Sequence, residues 1–141
     1  MPLVICDTDF LIKITNEPTP ELKPFLEHWG FVLATLPVVE KELKGLLQSK
    51  KRSTARRAKL ALESLRKLIL VETSYRMSGL DADAHLVNFQ KESNGDVVIA
   101  TLDGKLLSKL ERKRMPYLTL RRDRPFFRPF SRATYLTTKN E

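Results

Sequence analysis

The chain has 141 residues, 42% of them hydrophobic, with one cysteine and 25 Lys and Arg against 17 Asp and Glu, a net charge of +8. That length supports one domain with a real core rather than two. The single cysteine excludes a disulfide framework and a cysteine-built zinc ribbon and fits a reducing cytosol, while no apolar run reaches the roughly 18 residues of a membrane span and no stretch reads as a signal peptide. A soluble, cytoplasmic protein is expected.

The predicted elements alternate between short apolar runs and helix-like segments, the pattern of βαβ units around a mainly parallel, five-stranded sheet buried on both faces. "LVIC" (residues 3 to 6) is the first strand and runs straight into Asp7. Helices are predicted near residues 8 to 15 and 20 to 28, then the strand "FVLAT" at 31 to 35. Pro37 opens a helix at the position where its missing N–H costs nothing, reaching Leu47, and a further helix covers 54 to 67. The strand "LILVE" (68 to 72), a helix over 82 to 91 stopped by Asn94-Gly95, the strand "VVIAT" (97 to 101), a helix over 104 to 114 and the strand "YLTL" (117 to 120) complete the set. Residues 121 to 141 change character: "RRDRPFFRPFSRATYLTTKNE" reads as a basic, aromatic tail packed on or extending from the domain formed by residues 1 to 120.

The positive charge is not spread evenly. Eleven of the basic residues and only three acids lie after Asp103, which leaves the first 103 residues neutral. Within that neutral part, Lys44, Lys50, Lys51, Arg52, Arg56, Arg57, Lys59, Arg66 and Lys67 cluster with Glu63 alone in opposition. Such clusters suit a nucleic-acid backbone, although a solvated helix face explains them equally well. The residues expected to hold RNA are Lys50, Lys51, Arg52, Arg56, Arg57, Lys105, Arg121, Arg122, Arg124 and Arg128.

Ligands of open parallel sheets bind beyond the C-terminal ends of the strands, so the acids that follow strands matter most. Asp7 follows the first strand and Asp103 the fourth, and both are expected at one edge of the sheet. Taken singly, each reads as a helix N-cap. Helical phase at about 100° per residue separates the other acids. Val39, Leu43, Leu46 and Leu47 mark a buried stripe; Glu42 falls between Val38 and Leu46, while Glu40 is four before Lys44 and reads as an i,i+4 ion pair. Asp83 precedes Leu86 by three and Val87 by four and shares their face, whereas Asp81 reads as an N-cap. Asp9, two residues into its helix, is expected to point away. Cys6 and His85 read as a core thiol and a bystander.

Four inward carboxylates from four segments, Asp7, Glu42, Asp83 and Asp103, repel one another unless a cation sits among them. An all-oxygen set without His or Cys suits Mg²⁺ or Mn²⁺ rather than zinc, and beside basic surface it points to phosphodiester hydrolysis.

Four stretches, "VICDTDFLI", "LPVVEKELKGLL" with its Glu-Leu pair, "DADAHLV" and "VVIATLDGKLLSKLERKRMPYLTL", resemble the PIN-domain ribonuclease family over residues 3 to 120. The resemblance implies a three-layer α/β/α sandwich and a Mg²⁺- or Mn²⁺-dependent endoribonuclease. It implies Asp7, Glu42, Asp83 and Asp103 as metal-binding acids, with Thr101 and Thr8 as hydroxyls that orient water or a ligand. It further implies RNA as substrate, a homodimer, and a role either in rRNA processing beside a ribosome-assembly partner or as a toxin held by an antitoxin. An RNA-binding module with a silent site is the reading of a different class. Where rRNA-processing members carry adjacent acids this chain has Asp81-Ala82-Asp83, so the third ligand is one of two; Gly104 stands where a larger residue is common.

Overall fold

The computed structural model describes residues 2–70, 82–93 and 97–130. The elements are β1 (Leu3–Cys6), α1 (Thr8–Asn16), α2 (Leu22–Trp29), β2 (Val32–Thr35), α3 (Pro37–Leu46), α4 (Arg52–Ser64) with a 3-10 turn at Leu65–Lys67, β3 (Ile69–Leu70), α5 (Ala82–Glu92), β4 (Val97–Ala100), α6 (Gly104–Arg112), β5 (Tyr117–Arg121) and β6 (Arg124–Arg128). The Asn94-Gly95 stop and Asp81 lie outside the described residues. No helix among the described residues is long and apolar enough to cross a membrane.

The strands line up in the order β3-β2-β1-β4-β5-β6. β1 to β5 are parallel, with Ile5 beside Ala34 of β2 on one side and Ile99 of β4 on the other. β4 is buried along its whole length, which is why it reads as an unbroken apolar run rather than an alternating one. From β1 the chain moves outward through β2 to β3, then returns to place β4 on the far side of β1. The strand order therefore reverses between β1 and β4, and the crevice beyond their C-terminal ends is where such a sheet binds ligands.

The helices follow from their caps and apolar phase. Pro37 sits at the start of α3, whose Val38, Val39 and Leu43 are buried. α4 packs against α1 and α3 and buries Ala58 and Ala61, small residues that permit a close approach. Leu47, expected on the buried stripe of α3, is instead 37% exposed because the helix ends one residue earlier. Gly30 ends α2 in the left-handed conformation, φ 69°, its N–H donating to the Glu27 and Leu26 carbonyls. A Cβ at Gly30 would meet nothing within 4 Å, so Gly30→Ala should cost only the backbone strain, about 1 kcal/mol by urea denaturation.

The segment after Leu120 differs from the expected tail. β6 pairs antiparallel with β5, from Arg121 opposite Arg124 to Tyr117 opposite Arg128, and adds a sixth strand to the five parallel ones. Its two-residue turn puts Arg122 (φ 53°) and Asp123 (φ 65°) in the left-handed region, where hairpins usually carry Asn, Asp or Gly; Arg122 is the unusual occupant, and with no Gly beside Asp123 the turn is weakly marked in the sequence. Tertiary contacts hold it. Asp123 pairs with Lys13 of α1 at 2.8 Å, and Lys13 also pairs with Glu17 at 2.6 Å. Bonding to Asp123, then to Glu17, raises the Lys13 pKa. Arg121 lies 3.6 Å above the Phe126 ring, and Phe127 meets Trp29 and Phe31 edge-on at 5.1 and 5.3 Å.

Candidate active site

β1 and β4 end at one edge, and each is followed by a carboxylate that caps the next helix. Asp7 accepts from the Thr8 backbone N–H at 2.7 Å and caps α1. Asp103 accepts from the Lys105 and Leu106 N–H groups at 2.8 and 3.4 Å and caps α6. Capping and convergence are therefore not alternatives: one strand-end position serves both, and two helix N-termini with positive partial charge meet at the crevice.

Two threonines tie the acids together. Thr101, fully buried, donates its hydroxyl to Asp7 Oδ2 at 2.8 Å and accepts from the Asp103 N–H at 3.1 Å. One hydroxyl thereby joins the end of β1 to the start of α6. Thr8 donates its hydroxyl to Glu42 Oε2 at 3.1 Å and joins α1 to α3.

Asp7, Thr8, Asp9, Glu42, Leu46 and Asp103 line a cleft of about 260 Å³. Of the acids expected to face inward, Asp7 is buried, Asp103 is half-buried and Glu42 is exposed on the cleft wall. Water therefore screens part of the repulsion that an enclosed set would suffer. Asp9, expected to point away, lies on the same cleft, since a side chain in the first turn of a helix stays near the edge where that helix starts. Leu46 joins as the residue four after Glu42 on α3; its spacing could have revealed it. Asp83 belongs to α5, which packs on α3 and β4, but its side chain lies outside the described residues, as does that of His85. Among the described residues no three His, Cys, Asp or Glu side chains close into a metal cage.

Other polar groups nearby are already engaged. Thr35 donates to the Cys6 carbonyl at 3.0 Å, and burial, reinforced by the charge of Asp7, pushes the Cys6 thiol far up, so that it stays protonated. A larger hollow of about 410 Å³ between α3 and α4 has a floor of Leu47, Leu62 and Leu65, and its Glu40 pairs with Lys44 at 3.5 Å. The smaller cleft, by contrast, gathers carboxylates from three segments.

The residues expected to hold RNA fall into two groups. Lys50, Lys51, Arg52, Arg56, Lys105 and Arg122 are exposed. The other four are already partnered: half-buried Arg57 pairs with Glu17 at 2.8 Å, and of the exposed ones Arg124 pairs with Glu21 at 3.3 Å and Arg128 with Glu111 at 3.3 Å, while Arg121 stacks on Phe126.

No family model matches the sequence, and no curated protein matches it. Among solved structures the chain is similar to "Structure of the PIN domain endonuclease Utp24", at 17% sequence identity and a TM-score of 0.65 over 94% of this chain and 95% of that one. Sheet order, flanking helices and this superposition agree that the chain has the PIN-like α/β fold.

Proposed function

We propose that the chain is a divalent-metal-dependent endoribonuclease. The observation that carries this reading is the meeting of Asp7, Glu42 and Asp103, from three separate segments, on one cleft with Thr8 and Thr101 bonded between them. A structural neighbour described as a PIN domain endonuclease supports it. The donors fit Mg²⁺ or Mn²⁺, because each is a carboxylate or hydroxyl oxygen and such ions keep several waters, binding through one or two carboxylates rather than a complete protein cage. Asp7, Glu42 and Asp103 would hold the ion, with Asp83 of α5 as the fourth acid. When bound, the ion lowers the pKa of a coordinated water and offsets charge on the leaving oxygen.

The protein's own groups do the remaining work. Thr101 fixes the plane of the Asp7 carboxylate and, through the Asp103 N–H, the start of α6; Thr8 holds Glu42 against α1. Lys105, two residues after Asp103, offers a cation beside the cleft, and Lys50, Lys51, Arg52, Arg56 and Arg122 offer exposed charge for the phosphate backbone. The test is cleavage of labelled single-stranded and hairpin RNA with Mn²⁺ or with EDTA. Scission is expected only with metal and is expected to be lost in Asp103→Asn; scission in EDTA, or an Asp103→Asn variant as active as the parent, would sink the reading.

A further inference from the structure

At the opposite end of α6 from the cleft, cations gather from three parts of the chain. Lys91 stands in the last turn of α5, Lys109 and Arg112 in the last turn of α6, and Lys113 and Arg114 directly after it. All but the half-buried Lys109 are exposed. The arrangement is held from beneath. Gln90, next to Lys91 and buried, donates its Nε2 to the Val97 carbonyl at 3.0 Å and the Pro116 carbonyl at 2.6 Å, fastening the end of α5 to the starts of β4 and β5. The Met115 N–H donates to the Leu110 carbonyl at 2.9 Å and turns the chain past the end of α6, with Arg114 at φ 54°.

Helix dipoles account for Lys91, Lys109 and Arg112, since cations suit a C-terminal turn. They do not account for Lys113 and Arg114 beyond the helix end, nor for two ammonium groups held close together. The Lys91 ammonium beside Lys113 lowers the Lys113 pKa, with burial and then Lys109 and Arg112 adding to the effect. Along α6 and the residues directly after it the acid is Glu111, and Arg128 engages it at 3.3 Å, while in α5 Glu92 follows Lys91. The patch therefore holds charge that repels itself and that a polyanion would relieve.

We infer that Lys91, Lys109, Arg112 and Lys113 form a second RNA-backbone site, separate from the cleft, that takes the flanking part of the substrate. The inference rests on the nuclease reading and deepens it by assigning the substrate a minimum length. Asp103 and Lys113 are ten residues apart along α6, about 15 Å at 1.5 Å per residue, or on the order of four base-pair rises of a duplex. A dinucleotide in the cleft cannot reach the patch; a hairpin RNA can.

The experiment uses the full chain carrying Lys91→Gln with Lys113→Gln, and Lys23→Glu on α2 as a control that lowers the net charge by the same two. Binding of a fluorescent hairpin RNA is read by anisotropy in an Asp7→Asn background, so that it does not depend on cleavage, and kcat/KM on the hairpin and on a dinucleotide is read in the active protein. The expected result is a tenfold or greater loss of hairpin binding and of hairpin kcat/KM, a salt slope shallower by about 0.9 for each phosphate no longer neutralised, and dinucleotide kcat/KM within twofold of the parent. Hairpin binding no weaker than in Lys23→Glu, or an equal loss on both substrates, overturns the second site and leaves the nuclease reading standing. A parent chain that binds the hairpin but cleaves nothing with Mn²⁺ sinks the nuclease reading, while the anisotropy still decides the site; a parent chain that binds no RNA overturns both.

Discussion

Asp7→Asn is expected to lower metal-dependent RNA cleavage by about a hundredfold or more, roughly 3 kcal/mol of transition-state stabilisation, while leaving the fold in place. Asn caps a helix as well as Asp does, so the bond from the Thr8 N–H to the side-chain oxygen is retained. What is lost is the buried negative charge that Thr101 orients. Thr101→Val sharpens the test because Val matches the shape of Thr without the hydroxyl. It removes the donor to Asp7 and the acceptor for the Asp103 N–H at a fully buried position, for about 1–3 kcal/mol of stability. It should lower activity about 10- to 100-fold, as losing the partner that orients a ligand usually does. Cleavage kinetics and thermal melts of both variants decide the matter. An Asp7→Asn protein that melts with the parent yet cuts as fast would remove Asp7 from the chemistry.

Ile99→Ala is expected to destabilise the chain by about 3–4 kcal/mol, a fall in Tm of about 10 °C for a domain of this size. Ile99 is fully buried in β4, flanked by Ile5 of β1 and Tyr117 of β5, where neighbouring side chains cannot collapse into the space left behind. Leu60 of α4 is the internal control. At 41% exposure, Leu60→Ala should change stability by no more than about 0.5 kcal/mol. Urea titrations should show a shifted midpoint with an unchanged slope for Ile99→Ala. A loss below that of Leu60→Ala would place β4 outside the core.

"LVIC" and "VVIAT" could be read as buried parallel strands because nearly every residue is apolar, and Asp7 and Asp103 could be placed at one edge because each follows such a strand. The Glu40–Lys44 pair followed from spacing alone. The hairpin did not, since Arg122-Asp123 lacks the Gly that usually completes such a turn, puts an Arg at positive φ, and depends on Lys13, more than a hundred positions earlier. Nor did the exposure of Glu42, because a helical phase says which side of α3 a residue occupies and not whether another element covers that side.

By itself the sequence determined the alternation of strands and helices, the strand-end positions of two carboxylates and the surplus of cations after Asp103, all of which are local properties of neighbouring residues. Only the tertiary structure decided that the strand order reverses between β1 and β4, which makes two distant strand ends one cleft. It also decided that Thr101 bonds to Asp7, ninety-four positions away, and that Lys91 of α5 stands beside Lys113 after α6. The physical reason is the same in each case: hydrogen bonds and charge act over a few ångströms of space, and which residues share those ångströms is set by the order of strands in the sheet.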